Sequence, residues 1–375
     1  MSLNGGVEIL KLARLVDAEP EQLGYLQYVA PQDIRDLREQ VTVVMFDADR
    51  QMLQRVASAT KMIPGKLAAA IGERAFGPLL CARVTGLLEP SRAVEIAERL
   101  PTEFLAEVAV LLDPRRASRV IAEIPAQQIG EITAALAERE ELIAMGGFVG
   151  HLPEASLRAA VDAVDDETLL LTAYVIETKS NLGSLVGLLS EQRLESVIRT
   201  AHEADLWVEA LDVLSYVSED QRGQLGDIAA AAEDEVLDGM VRTAESEGLW
   251  ADVLPVTRAM SPDSRTRFAK LESIQSRPLL EQIIRAAHEH RLWPPLIGFA
   301  TEFEQPTQLQ IAELIAEAED EVLDSLLEAM AADGLQTELA SITATLEDAD
   351  LERFSERLAK RENGDQLSKA LEAAA

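Results

Sequence analysis

The three tryptophans of this chain stand at 207, 250 and 293, two equal steps of 43 residues. The sequence around them keeps register: "VIRTAHEADLW" (197–207), "MVRTAESEGLW" (240–250) and "IIRAAHEHRLW" (283–293). Arg199, Arg242 and Arg285 align, as do Ala201, Ala244 and Ala287, and Leu206, Leu249 and Leu292. The heptapeptide "AEDEVLD" occurs at 232–238 and again at 318–324, two periods apart. A period of this length, written in helix-forming residues, is the signature of a HEAT- or armadillo-sized helical solenoid. The spacing predicts an all-α fold, a right-handed superhelix of short stacked helices, with three helices in each 43-residue unit.

Composition supports helices over strands. Hydrophobic residues make up 47% of the 375, yet aromatics only 4%, so the core is built from Leu, Ala, Val and Ile. Ala and Leu favour helix, whereas strands favour aromatic and β-branched residues. The one β-like hexamer, "VTVVMF" (41–46), is flanked by helical periodicity and is expected to be buried helix.

A second, shorter beat precedes the tryptophan repeat. "LEPSRAVEIAER", "LPTEFLAEVAVL", "LDPRRASRVIAE" and "IPAQQIGEITAA" begin at 88, 100, 112 and 124, each 12 residues after the last. The beat returns at 152 and 164. Each unit is an apolar residue, a turn with Pro or Asp, and about two turns of helix. Proline costs nothing where the helix has no bond to give its N–H, and Asp113 and Asp165 are placed to cap. Ser218 with Gln221 has capping-box spacing, and Ser261 precedes Pro262 as a cap should. The insert 136–151 interrupts the beat. In 64–88, Gly65, Gly72, Gly77 and Gly86 either let helices approach closely or mark turns.

The stretch "LEPSRAVEIAERLPTEFLAEVAVLLDPRRASRVIAEIP" (88–125) resembles the N-terminal cytosolic domain of the MgtE magnesium transporter family, a superhelix of short helices punctuated by "LP" and "LDP" turns. The helical modules of the flagellar switch protein FliG share the style. The resemblance covers roughly 80–175 and implies a superhelical fold. The sheet-rich CBS pattern and membrane helices that follow in the transporter have no counterpart here, so transport itself is not implied. The expected organisation is a helical cap over 1–87, short-helix repeats over 88–178, 43-residue repeats over 179–345, and a polar C-terminal cap over 346–375.

Charge narrows the partners. Against 34 Lys+Arg stand 66 Asp+Glu, a net −32. Such a surface repels phosphate backbones and anionic headgroups and favours basic partners. With a single cysteine, Cys81, no internal disulfide is expected. No signal peptide and no apolar run of membrane-spanning length is evident, so the expected location is the cytoplasm.

Candidate sites are few. Trp207, Trp250 and Trp293 can lock neighbouring repeats together or line a groove as anchors for a partner. Arg199, Arg242 and Arg285 can pair with acidic residues of the next repeat or receive an acidic peptide. The "AEDEVLD" clusters sit at helix starts, where negative charge is favourable, and lack the alternating oxygen ligands of a calcium loop. His151, His202, His288 and His290 form no zinc pattern, and Cys81 lies in an apolar run. No nucleotide-binding glycine loop and no nucleophile elbow occurs. Catalytic residues, metal sites and cofactors are therefore not expected. The expected function is a scaffold or adaptor that binds a protein or peptide on a concave surface. Two alternatives stand beside it: a carrier or sensor of a small apolar molecule, and an accessory subunit of a membrane transporter with weak divalent-cation sensing.

Overall fold

The computed structural model describes residues 3–16, 18–47, 50–361, 364, 366, 367 and 369. Among them there are 25 α-helices and no strand. The chain divides into two compact units, Met1–Asn181 and Leu182–Ala375.

In the C-terminal unit the 43-residue period sets the start of every α-helix from Glu191 onward. First helices begin at 191, 234, 277 and 320; second helices at 207, 250, 293 and 336; third helices at 219, 262, 305 and 348. There are thus four complete units. The fourth keeps the phase although Gln336 replaces the tryptophan, and its third helix, Asp348–Leu358, lies beyond residue 345. The second helices pack on one another in a row, with first and third helices against them.

One turn explains most of the aligned residues. Asp205, Gly248, Arg291 and Gly334 all have φ between 57° and 75° and stand 43 apart. This left-handed residue ends the first helix. The following leucine N–H then bonds back to the carbonyl five residues earlier: Leu206 to Ala201 (2.8 Å), Leu249 to Ala244 (2.9 Å), Leu292 to Ala287 (2.8 Å) and Leu335 to Met330 (3.2 Å). This is the Schellman closure, which satisfies orphan carbonyls and reverses the chain. The recurrent Ala and Leu are its two ends. Non-glycine residues pay about 1–2 kcal/mol for this conformation. Arg291→Gly is therefore expected to stabilise the unit by about 0.5–1 kcal/mol, net of the added unfolded-state entropy. Gly248→Ala is expected to cost about 1 kcal/mol. A β-carbon at Gly248 would meet nothing within 4 Å, so backbone strain alone is measured. Urea melts that leave both variants level with the parent would contradict the account.

Caps fix the other ends. Ser218 and Gln221 form the capping box, and Ser190 and Ser261 accept from Arg193 N and Ser264 N. The third helix of one unit approaches the second helix of the next so closely that a β-carbon at Gly223 would collide with the Ala259 carbonyl oxygen.

From Gly65 the N-terminal unit is a ladder of shorter helices. Starts fall at 65, 77, 90, 102, 114 and 126, then 142, 154 and 166. The 12-residue beat therefore begins earlier than Leu88. Between 126 and 142 it slips by four residues, through a turn in which Glu140 is left-handed (φ 56°) and Glu141 N–H bonds Leu136 O at 3.0 Å. The insert is thus helical, Leu142–Phe148 followed by a 3-10 turn. Helices pack on the one two steps along: Gly77–Thr85 on Thr102–Leu111, that on Ala126–Ala137, and that on Glu154–Asp162. Two-turn helices are unstable alone, and this alternation gives each helix neighbours. Asp113 and Asp165 cap as expected, accepting from Arg115 N and Thr168 N.

One expectation about burial fails. Residues 41–46 lie in helix Pro31–Asp47, but Val43 and Val44 are 47% and 70% exposed. That helix buries Ile34 against Ile9 and Leu12 instead, and its C-terminal turns extend beyond this contact.

Candidate functional site

The tryptophans are wedges between repeats. Each begins a second helix, immediately after the Schellman turn, and the turn aims it inward. Trp207, Trp250 and Trp293 are 4%, 1% and 1% exposed. Trp293 Nε1 donates to Ser325 Oγ on the next unit's first helix at 2.9 Å. At the equivalent place Trp207 faces Gly239, whose absent side chain leaves room for Trp207 and His202. The rings therefore offer no face to a partner, which corrects the expectation that they line a groove. The indole nitrogens of Trp207 and Trp250 are buried without a hydrogen-bond partner.

The arginines behave oppositely. Arg199, Arg242 and Arg285 are exposed at equivalent places on successive first helices. The expected pairing with the next repeat is not made: no ion pair or hydrogen bond joins them to a described residue. The carboxylates one turn back are engaged elsewhere or stand apart. Asp238 accepts from Ser273 Oγ at 2.6 Å, and Glu281 takes Arg277 at 3.6 Å. Ion pairing falls to other arginines: between repeats Arg265 meets Glu302 at 2.9 Å, and within a repeat Arg267 meets Asp234 at 2.9 Å and Arg277 meets Glu313 and Glu317 at 2.9 and 2.8 Å. Residues 182–375 contain 16 Lys+Arg and 39 Asp+Glu. In so acidic a unit, three cations in register and without partners form a ridge suited to carboxylates. Glu328 ends the ridge in the fourth unit.

The "AEDEVLD" clusters are held by arginine. Arg267 engages Asp234; Arg357 and Arg361 engage Asp320; Arg361 also reaches Asp324. Among the described residues no three metal-ligating side chains converge. His288 Nδ1 is buried without a partner. Burial pushes the Cys81 thiol up to about 11, so it is a poor nucleophile at neutral pH.

A cluster in the N-terminal unit escaped sequence reasoning. Glu8 and Lys11, both buried, face Arg38, Arg35 and Glu177. Lys11 Nζ lies 3.4 Å from Glu8 and 3.2 Å from Glu177; Arg38 lies 3.2 Å from Glu8 and 2.5 Å from Glu177; Arg35 reaches Glu8 at 3.1 Å. Lys11 also donates to Ile176 O at 3.5 Å. Burial alone would raise the Glu177 carboxyl, but Lys11 and Arg38 more than offset this and hold it at about 2. The carboxylates and cations pair with one another, so the cluster latches the first helix to the end of its unit, although Nε of Arg35 and of Arg38 is buried without a hydrogen-bond partner. Its only local signal is a Glu–Lys pair, three apart, within the apolar stretch "VEILKLARLV".

No protein-family model, no curated protein and no solved structure matches this chain.

Proposed function

We propose that the chain is a non-catalytic helical-repeat scaffold or adaptor, and that its C-terminal unit receives an extended acidic segment of a protein or peptide. The observation that carries this reading is the ridge of Arg199, Arg242 and Arg285, exposed, without a partner among the described residues, and one in each of the first three repeats. Repeat arrays offer long surfaces on which a linear partner meets the same group at each unit. A guanidinium takes a carboxylate through two parallel hydrogen bonds. The unit's negative field opposes an acidic partner at a distance, but it is screened beyond about 8 Å at physiological salt. Bulk acidity alone had favoured basic partners; unpaired cations in register are the more specific feature. The resemblance of 88–125 to the MgtE cytosolic superhelix belongs to the same proposal and bears on fold only, as does a cytoplasmic location. The carrier alternative has less support, because the 64–88 segment turns Leu67, Phe76 and Leu79 outward.

Selection of random peptides on the full chain is expected to enrich acidic sequences. Arg199→Glu with Arg242→Glu and Arg285→Glu is expected to weaken the selected peptides about 10–100-fold, as three exposed pairs of up to about 1 kcal/mol each would. Its melting curve should fall only slightly, since no intramolecular partner is lost and the new carboxylates meet only the exposed acids one turn away. Selection without acidic bias, or unchanged affinity in the variant, would sink the reading.

A further inference from the structure

Among the described residues, every exposed large apolar side chain lies between Leu10 and Leu111. Within that span, residues 50–83 reverse the charge of the chain: six Lys+Arg stand against one acid, Glu73. Arg50, Arg55, Lys66 and Arg74 are exposed and have no ion-pair partner among the described residues. Lys61 has only Glu89, at 3.9 Å across two exposed side chains. Met52, Met62, Leu67, Phe76 and Leu79 are exposed among them.

The turn between helices Arg50–Thr60 and Gly65–Ile71 is the focus. Met62 is 88% exposed there, with Lys61 beside it and Lys66 and Leu67 at the start of the next helix. The turn is held in place. The Arg92 guanidinium, from helix Pro90–Ala97, donates to Thr60 O at 2.7 Å and also to Ile63 O. Lys61 and Met62 N–H bond Ser58 O and Ala59 O at 3.3 and 3.1 Å. An arginine from another helix thus fixes a turn whose effect is to project an apolar side chain into water between two ammonium groups.

We propose that this turn, with the basic surface of 50–83, docks on an anionic lipid bilayer. Exposed apolar side chains gain by entering the acyl boundary, while flanking cations meet anionic headgroups. A bilayer accepts a projecting tip without a complementary groove, which favours it over a protein partner. The net −32 does not forbid this, because only charges within about a Debye length of the headgroups are felt. The inference is independent of the arginine ridge.

The test is co-sedimentation of the full chain with vesicles of phosphatidylcholine and phosphatidylserine at about 7:3, against phosphatidylcholine alone. Binding is expected at low salt to the mixed vesicles, and about tenfold less to neutral vesicles or at high salt. Lys61→Glu with Lys66→Glu, and separately Met62→Asp, are each expected to lose binding about tenfold with unchanged circular dichroism, since all three side chains are exposed. The arginine-ridge triple variant is expected to bind vesicles like the parent. A parent that ignores the mixed vesicles overturns the proposal, and so does binding that survives both turn variants. Cross-linking of Lys61 or Lys66 to an acidic protein, with no vesicle binding, would overturn it in favour of a protein partner.

Discussion

Trp250→Ala is expected to destabilise the C-terminal unit by about 3–5 kcal/mol, the usual cost of emptying a fully buried tryptophan site. The ring is 1% exposed and begins the second helix of its unit, in the row where second helices pack on one another. Because repeats are stabilised by their neighbours, the loss should spread to adjoining units, read as a lower urea midpoint. The phenylalanine variants sharpen the test. Trp250→Phe removes an indole N–H that is buried without a partner, so most of the packing is kept and a buried donor is relieved. Trp293→Phe breaks the bond to Ser325 and should cost about 1 kcal/mol more. Equal losses for the two phenylalanine variants would refute the assigned roles of the indole nitrogens. A stable, folded Trp250→Ala would refute the wedge.

Glu8→Ala is expected to cost about 3–5 kcal/mol, because it leaves Lys11 and Arg38 with Glu177 alone and takes from Arg35 its ion-pair partner in a largely buried site. Hydrogen exchange should rise in the helix Leu3–Val16 and near Ile176, and stay unchanged at 182–361. A loss under about 1 kcal/mol would mean that solvent already screens the cluster. The same latch sets an acid limit. The Glu177 carboxyl titrates at about 2 in the folded chain, against 4.5 for the free group. Its contribution is therefore complete above pH 4.5 and is lost as pH falls toward 2. After discounting for its partial exposure this amounts to about 1–2 kcal/mol. Glu177→Gln should lower stability at pH 7 and flatten the acid limb. An acid limb identical to the parent's would rule this out.

Much of the architecture is local and was legible. Helix starts follow the 43- and 12-residue beats because each is set by a capping residue, a proline or a turn, and these act within four or five residues. The aligned alanines and leucines flank the Schellman turn, although Asp205 and Arg291 hide the left-handed position that Gly248 and Gly334 advertise. The beat's extension to Gly65 was missed because the step from 77 to 90 is thirteen. The candidate site was half legible. Its residues were aligned, but alignment is blind to which side of a helix faces the neighbouring repeat.

The sequence by itself determined the all-α class, the period, the helix phase and most of the caps, since each depends on short-range backbone bonding. Only the tertiary structure decided which aligned residues are wedges and which are free. Trp207, Trp250 and Trp293 went inside because the turn points them at the next unit. Arg199, Arg242 and Arg285 stayed in solvent because they lie on the exposed side of their first helices. Glu8, Lys11 and Glu177 met because packing brings together groups up to 169 residues apart. Burial and ion pairing depend on distances in space, and a pattern along one chain does not encode them residue by residue.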